Sequence, residues 1–373
     1  MKTRGYFAAN FDFLLTGMVI ILNIIGIFAI GSASAARQTR QIQGMLIGLV
    51  VMLVVSFIDY REILRFYWMM YFGNLILLAS VLVAGSTGGG AQRWIQIGGI
   101  TFQPSEAAKI LLILFFSKFI MEYRSKIRGT VFLALCLFLV SIPLVLIYRQ
   151  PDLSTTMMTF LIFAAIVFTG GVVSYRLIAA VLAISVPSVT AFIILAVREG
   201  STLLQDYQRD RILAWLHPED YETTKSYQTI YSIMAIGSGM LTGKGYNTNE
   251  FSSVLNSGYV SQSQTDFIFT VIGEEFGFIG AGSVILLIAF IAVRILMIAR
   301  DAKDEAGMMI AAGMGCWIGL QGYMNIGVAT GVLPNTGIPL PFVSYGLTSL
   351  VSLYMGLGFV LNVRMQAKKR AST

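Results

Sequence analysis

The chain has 373 residues, of which 56% are hydrophobic and only 12% charged, and its formal net charge is +7. Mean hydropathy is +0.75, and soluble domains carry about 25% charged residues, so a water-soluble globular domain is excluded. No basic cluster is interleaved with aromatics, so the positive balance marks membrane topology and anionic-lipid contact rather than nucleic-acid binding.

Repeated apolar runs near 20 residues predict an all-α polytopic membrane protein forming one transmembrane domain over 1–373. The runs are too long and too uniformly apolar for barrel strands. In chain order the spans are predicted at 11–34, 43–58, 66–84, 107–122, 130–148, 153–172, 176–197, 266–293, 307–329 and 343–363. That makes about ten transmembrane helices, with one long extracellular loop, 198–265, between helices 7 and 8. The first span follows Lys2 and Arg4 and precedes Ser32-Ala33-Ser34-Ala35. Its apolar run exceeds the roughly 7–15 residues of a cleaved signal, so it is expected to be a retained signal anchor. The eighth span is long enough to bend at Gly273, Gly277 or Gly280.

An even number of spans puts both termini on one side. With the termini inside, cytoplasmic segments hold 15 basic residues, from Lys2 and Arg4 to Lys369 and Arg370. The short outer loops hold 4: Arg37, Arg40, Arg93 and Arg149. That asymmetry predicts cytoplasmic termini and an external working face in a cell membrane. The outer side also carries the irregular segments, namely the Gly-rich turn 85–99, the loop 198–265 and the Pro-rich stretch 331–341. Loops on a rigid scaffold commonly carry function.

Some chemistries are absent. Cys136 and Cys316 fall inside predicted spans and imply buried thiols rather than a disulfide framework. His217 is the only histidine, so neither a His/Cys metal cluster nor a Ser-His-Asp triad can be assembled. Gly243-Lys244-Gly245 lacks the first Gly and the Ser/Thr of a phosphate loop and reads as an ordinary turn. Gly273-x-x-x-Gly277 suits close helix packing.

Five polar groupings lie at or near membrane depth on the outer side. Arg93-Trp94 precedes Phe102-Gln103-Pro104-Ser105-Glu106, with Lys109 one turn beyond Glu106 on the same helix face. A buried structural ion pair between Glu106 and Lys109 is the first expectation there. Gln150-Pro151-Asp152-Leu153-Ser154-Thr155 reads as a helix start, in which Asp152 either caps the helix or meets a ligand, with Arg149 within reach of a phosphate. Arg209 and Arg211 stand in the outer loop, where a solvated loop helix is the plain alternative.

The fourth grouping runs from Gln262 through Gln264 and Thr265 to Asp266, with Glu274 and Glu275 behind. A carboxylate costs about 2.5–3.5 kcal/mol if it reaches the bilayer centre, so Asp266 is expected to have a use. Thr265 or Asp266 could instead cap the helix, and capping is compatible with chemistry. On an ideal helix Glu274 falls within about 80° of Asp266, and Glu275 points away. The fifth grouping, Pro334 to Gly346, includes Ser344 and holds three prolines. Such non-helical backbone is tolerated at depth only when buried in protein or lining a wet cavity. Carboxylates, cations and irregular backbone on one face suit a lipid-linked phosphate or sugar, with Arg and Lys on a pyrophosphate and a carboxylate as proton acceptor. Ion transport fits the same chemistry almost as well.

At these residues the chain resembles the shape, elongation, division and sporulation (SEDS) family, of RodA and FtsW type. The likeness spans nearly the whole chain and rests on four motifs in order. They are Arg93-Trp94 through Phe102-Gln103-Pro104-Ser105-Glu106 to Lys109, then Gln150 to Thr155, then Gln264 to Phe269 with Glu274-Glu275, and Gly337 to Gly346. The resemblance implies a peptidoglycan glycosyltransferase that uses lipid II as donor and acceptor and releases undecaprenyl pyrophosphate. It implies that Asp266 is the essential carboxylate and that Glu106 and Lys109 form a structural pair. Arg93, Lys109, Arg149, Asp152, Ser154, Arg211, Gln264, Thr265, Glu274 and Ser344 are the expected substrate contacts. It also implies a class B penicillin-binding protein as partner, beside lipid II, the growing glycan strand and the bilayer. No dedicated metal site is expected; a divalent cation, Mg or Mn, would arrive with the pyrophosphate.

Two departures stand out. Many members have His where this chain has Gln264, and many read Ser-Tyr-Gly-Gly-Ser where this chain has Ser344-Tyr345-Gly346-Leu347-Thr348. Leu resists positive φ, which questions a backbone-amide role for that second position. Short termini and the Pro-rich stretch favour an elongation member, RodA-like, over a division member. A lipid II flippase and a non-catalytic scaffold that activates a transpeptidase are the competing functions.

Overall fold

The computed structural model describes residues 10–88, 91–97, 100–173, 206–216, 227–248, 253, 260 and 263–367. The fold is an all-α polytopic membrane bundle. Among the described residues, six helical runs are long and apolar enough to cross a membrane: Phe13–Ala33, Ala35–Phe57, Tyr60–Ala84, Gly129–Tyr148, Ile268–Arg300 and Leu347–Gln366. Their outward faces carry large apolar side chains such as Phe13, Met69, Val83 and Phe278, at 67–88% exposure, which only a lipid solvent accommodates.

Helix α1 (Phe13–Ala33) starts at Asp12, whose Oδ1 accepts from the Leu15 amide at 3.0 Å while Oδ2 pairs with Arg294 at 2.9 Å. A single extended residue, Ser34, separates it from α2 (Ala35–Phe57). The predicted second span began at 43, eight residues late. The first turns of α2 hold Arg37, Gln38, Arg40, Gln41 and Gln43, which depress hydropathy, yet Gln41 is fully buried and donates to the Ser344 carbonyl. A short helix α3 (Tyr60–Ile63) leads through one 3-10 turn into α4 (Tyr67–Ala84).

The Gly-rich segment expected as a turn forms three short antiparallel strands, β1 (Ser86–Gly88), β2 (Ala91–Ile97) and β3 (Ile100–Phe102). They deliver the chain to α5 (Pro104–Tyr123), whose first residue is a proline, as suits a position with no intrahelical acceptor for its N–H. Then come α6 (Gly129–Tyr148) and α7 (Leu153–Thr169). The predicted span 176–197 lies outside the described residues. Of the long loop, α8 (Asp206–Leu216) and α9 (Tyr227–Ser238) are described.

Helix α10 (Ile268–Arg300) breaks at Gly277, with φ 63° and ψ −161°, one of the three glycines expected to bend. Segment 240–245 fills the break. The Phe278 and Ile279 amides donate to the Met240 and Leu241 carbonyls, and the Lys244 and Gly245 amides donate to the Glu274 and Glu275 carbonyls, at 2.9–3.2 Å. Main-chain groups stranded by the break therefore find partners across it. Helix α11 (Glu305–Ala329) is capped by Asp304 and packs among α5, α7, α10 and α12 (Leu347–Gln366), with α12 laid chiefly along α2. Helix α12 starts four residues after the predicted 343, because 341–345 form turns.

Candidate active site

The segment 331–346, between α11 and α12, runs without regular structure at a place where most neighbours are helices. Side-chain amides and hydroxyls satisfy its buried backbone. Asn23 donates to the Phe342 carbonyl at 2.7 Å, and Gln321 donates to the Pro339 carbonyl at 2.9 Å. Asn325 donates to the Ile338 carbonyl at 2.8 Å, and Ser154 donates to the Thr336 carbonyl at 2.6 Å. Phe342 holds φ at +62°, a strained value for a non-glycine residue, with its ring against Tyr354.

The segment that precedes α10 is sewn to this loop. Ser344 Oγ donates to the Thr265 carbonyl at 2.6 Å and accepts from the Leu340 amide at 2.7 Å. The Tyr345 amide donates to the Gln264 carbonyl at 2.9 Å. Asn325 donates to the Asp266 carbonyl at 2.7 Å. Asp266 itself is half-buried, whereas Phe267 and Ile268 behind it are sealed. Its carboxylate faces Gly337, where a Cβ would stand 3.4 Å from Oδ2. Gly337 has φ +68°, so a side chain there would be strained as well as in contact with that oxygen.

The N-terminal ends of three helices meet this loop, and a fourth stands beside one of them. Helices α10 and α7 are joined to it by the bonds at Thr265 and Ser154, and α12 follows it directly. The start of α5 is tied to α12 by Thr348, which donates to the Thr101 carbonyl at 3.1 Å and accepts from the Gln103 amide at 3.4 Å. Leu347 opens α12 in helical conformation, so this position demands no positive φ and tolerates Leu.

Glu106 and Lys109 meet 2.6 Å apart, both shielded. Lys109 also lies 3.5 Å from Gln321 Oε1 and 4.4 Å over the Trp317 ring, and Trp317 donates to the same Gln321 oxygen at 2.6 Å. The ammonium is thus committed inside the bundle. Asp152 caps α7, accepting from Thr155 at 3.1 Å. Arg93 reaches it at 3.7 Å and donates to the Gln150 and Pro151 carbonyls, so it buttresses the α6–α7 turn. Arg149 is exposed beside that turn. The side chain of Arg211 lies outside the described residues.

Glu274 needs correction. Because α10 begins at Ile268, Asp266 is not on the helix, and the expected common face does not exist. Glu274 is fully buried and pairs with Lys244 at 2.8 Å. Glu275, expected to point away, accepts from Ser32 and from the Asn247 amide. The carboxylates therefore lock the broken helix instead of joining Asp266. Trp317, Gln321 and Asn325 stand outside the five polar groupings, and Lys244, expected only in a turn, supplies the partner of Glu274. Gln321 and Asn325 carried a legible signal, being polar residues four apart within an apolar span.

Among the described residues, no group of three or more His, Cys, Asp or Glu could hold a metal ion.

The family model described as "Cell cycle protein", for FtsW, RodA and SpoVE, matches residues 6–369. "Peptidoglycan glycosyltransferase MrdB" of Escherichia coli K12 is 33% identical over 94% of this chain and 91% of its own length. "Probable peptidoglycan glycosyltransferase FtsW" of Geobacter sulfurreducens is 31% identical over 96% of each. A chain in the solved structure "Structural coordination of polymerization and crosslinking by a peptidoglycan synthase complex" superposes with a TM-score of 0.77 at 27% identity, covering 95% of this chain and 97% of that one. The rod shape determining protein RodA of Thermus thermophilus gives 0.70 at 25% identity, covering 96% and 98%.

Proposed function

The chain belongs to the FtsW, RodA and SpoVE family, and on that premise we propose that it is a peptidoglycan glycosyltransferase that polymerises glycan strands from lipid II. The observation that carries this is the position of Asp266. Asp266 is half-buried with its carboxylate against Gly337, and the backbone of 264–266 is clamped by Tyr345, Ser344 and Asn325, while helix N-termini converge on the same loop.

In this proposal the 4-hydroxyl of the acceptor disaccharide attacks the anomeric carbon of the donor. Asp266 takes the hydroxyl proton, the bond from that carbon to the pyrophosphate breaks, and undecaprenyl pyrophosphate leaves with the electron pair. A positioned general base contributes about 10²–10⁴-fold in rate. The N-termini of α7, α10 and α12 offer positive dipole ends to the departing pyrophosphate. Were a divalent cation to arrive with the substrate, it would neutralise charge on the pyrophosphate, and Asp266 would then hold that cation instead of taking the proton. Exposed Arg149 is available for a phosphate, while Ser154, Gln264, Thr265 and Ser344 shape the pocket through backbone bonds. Arg93, Asp152 and Lys109 act one layer behind.

The protein is an integral membrane protein. We place its termini in the cytoplasm, the loop 198–265 and the active face outside, and about ten spans between them, from the distribution of Lys and Arg. A class B penicillin-binding protein that crosslinks the new strand is the partner this reading calls for.

The test is purified protein with its transpeptidase partner and lipid II in detergent, assayed for glycan polymer on a gel. Polymer that forms while the transpeptidase is blocked is the expected result. No polymer, together with lipid II translocation in vesicles, would replace the enzyme with a flippase.

A further inference from the structure

Helix α11 carries a polar ladder on one face. Trp317, Gln321 and Asn325 follow one another at intervals of four residues, close to one turn, and all three are buried. Trp317 and Gln321 serve the Glu106–Lys109 pair, and Gln321 also holds Pro339. Asn325 sits one rung further along. Its single amide nitrogen donates to two carbonyls, that of Asp266 at 2.7 Å and that of Ile338 at 2.8 Å.

We propose that Asn325 is a positioning residue for Asp266, fixing how far the carboxylate stands from the loop wall that it faces. This rests on the glycosyltransferase reading. The two carbonyls belong to the two segments that bracket the carboxylate: Asp266 itself, and Ile338, which follows Gly337. One nitrogen joins them, so a shift of either segment stretches a bond to the other. A primary amide is the side chain of this size that offers two hydrogens from one nitrogen. Asp at this site would offer none when ionised and would turn an oxygen toward two carbonyls. Ser would hold one carbonyl at most. Gln would keep both hydrogens at a longer reach. The Asn325 oxygen is buried without a protein partner, so the donor pair is what the site uses.

Reaction rates respond steeply to such a shift: a displacement of about 1 Å costs on the order of 10²-fold. Ground-state binding, spread over lipid tail, sugars and pyrophosphate, is far less sensitive to it. The experiment compares Asn325→Asp, Asn325→Ser and Asn325→Gln with wild type in the full-length chain with its partner. Turnover and KM for lipid II are measured per folded, monodisperse molecule. The expected result is kcat lowered on the order of 10²-fold by Asn325→Asp and about 10-fold by Asn325→Ser. Asn325→Gln should recover part of the loss, with KM staying within about threefold throughout.

Wild-type kcat per folded molecule in both Asn325→Asp and Asn325→Ser would overturn the proposal. So would a KM that rises in step with an unchanged kcat, which would mean substrate contact. Loss of folded protein in every variant would assign the amide to folding alone and overturn it too. An inactive wild type removes the enzyme reading and this proposal together; an active wild type with unaffected variants removes this proposal only.

Discussion

Lys109 Nζ lies 2.6 Å from Glu106 Oε1, with the two side chains only 3% and 4% exposed. The pair sits one turn into α5, beneath the Trp317 ring and beside Gln321, which in turn holds the Pro339 carbonyl. Removing one partner of a buried pair is strongly destabilising, by about 3–5 kcal/mol, because the remaining charge keeps its desolvation cost. Glu106→Ala is therefore expected to lower the unfolding midpoint in detergent and glycan synthesis together, with Glu106→Gln milder because it keeps an acceptor for the ammonium. Unfolding followed by tryptophan fluorescence checks this. An unchanged midpoint with lost polymerisation would mean that Glu106 touches substrate.

Lys244 and Glu274 also pair, 2.8 Å apart and thirty residues apart in sequence, with the carboxylate fully buried. Lys244→Ala strips a fully buried carboxylate of that cation and should destabilise by about 3–5 kcal/mol. The double variant Lys244→Ala with Glu274→Gln should recover a large part, since the charge is gone with its partner. A double-mutant cycle on unfolding midpoints reads the coupling, and strict additivity would refute the pairing.

The clasp at the α10 break ranks its glycines. A Cβ at Gly243 would stand 2.1 Å from the Glu275 carbonyl oxygen, and one at Gly277 would stand 2.4 Å from the Gly243 nitrogen. Gly245 has a positive φ but open space around it. Gly245→Ala should cost only the backbone term, of order 1–3 kcal/mol. Gly243→Ala and Gly277→Ala add a backbone clash and should cost clearly more. Thermal unfolding of the three variants gives the order, and equal losses would contradict the packed clasp.

The six long apolar runs were legible because hydropathy is a local property. The boundary errors came from residues whose environment is not local. Gln41 belongs to α2 through a bond to Ser344, which lies some three hundred residues away. The strands at 86–102 are too short and Gly-rich to announce themselves, and they exist through pairing with each other. The polar clusters at Ser154, Thr265 and Ser344 were visible in sequence, and the fold joins them through backbone carbonyls. Glu274 was misread because helix periodicity was carried back through Asp266, two residues before α10 begins. Its partner Lys244 stands in a separate segment that no spacing rule connects to it. Gln321 and Asn325 were readable as paired amides in an apolar span, but they lie inside a predicted helix, away from the loop-edge motifs in which the other polar groups cluster.

The proposed topology rests on the basic-residue count, 15 against 4. In a background without Cys136 and Cys316, a cysteine replacing Tyr221 should react with an impermeant thiol reagent on intact cells stripped of their outer barrier. Labelling that needs lysis would reverse the orientation.

The most direct measurement is glycan polymer formed from lipid II by wild type and by Asp266→Asn, each purified with its transpeptidase partner. The substitution keeps the shape of the side chain and the main-chain carbonyl held by Asn325, and it removes the charge. The account predicts that the variant folds and binds its partner as wild type does, yet polymerises slower by about 10²–10⁴-fold. Near-normal polymer from folded Asp266→Asn would contradict it.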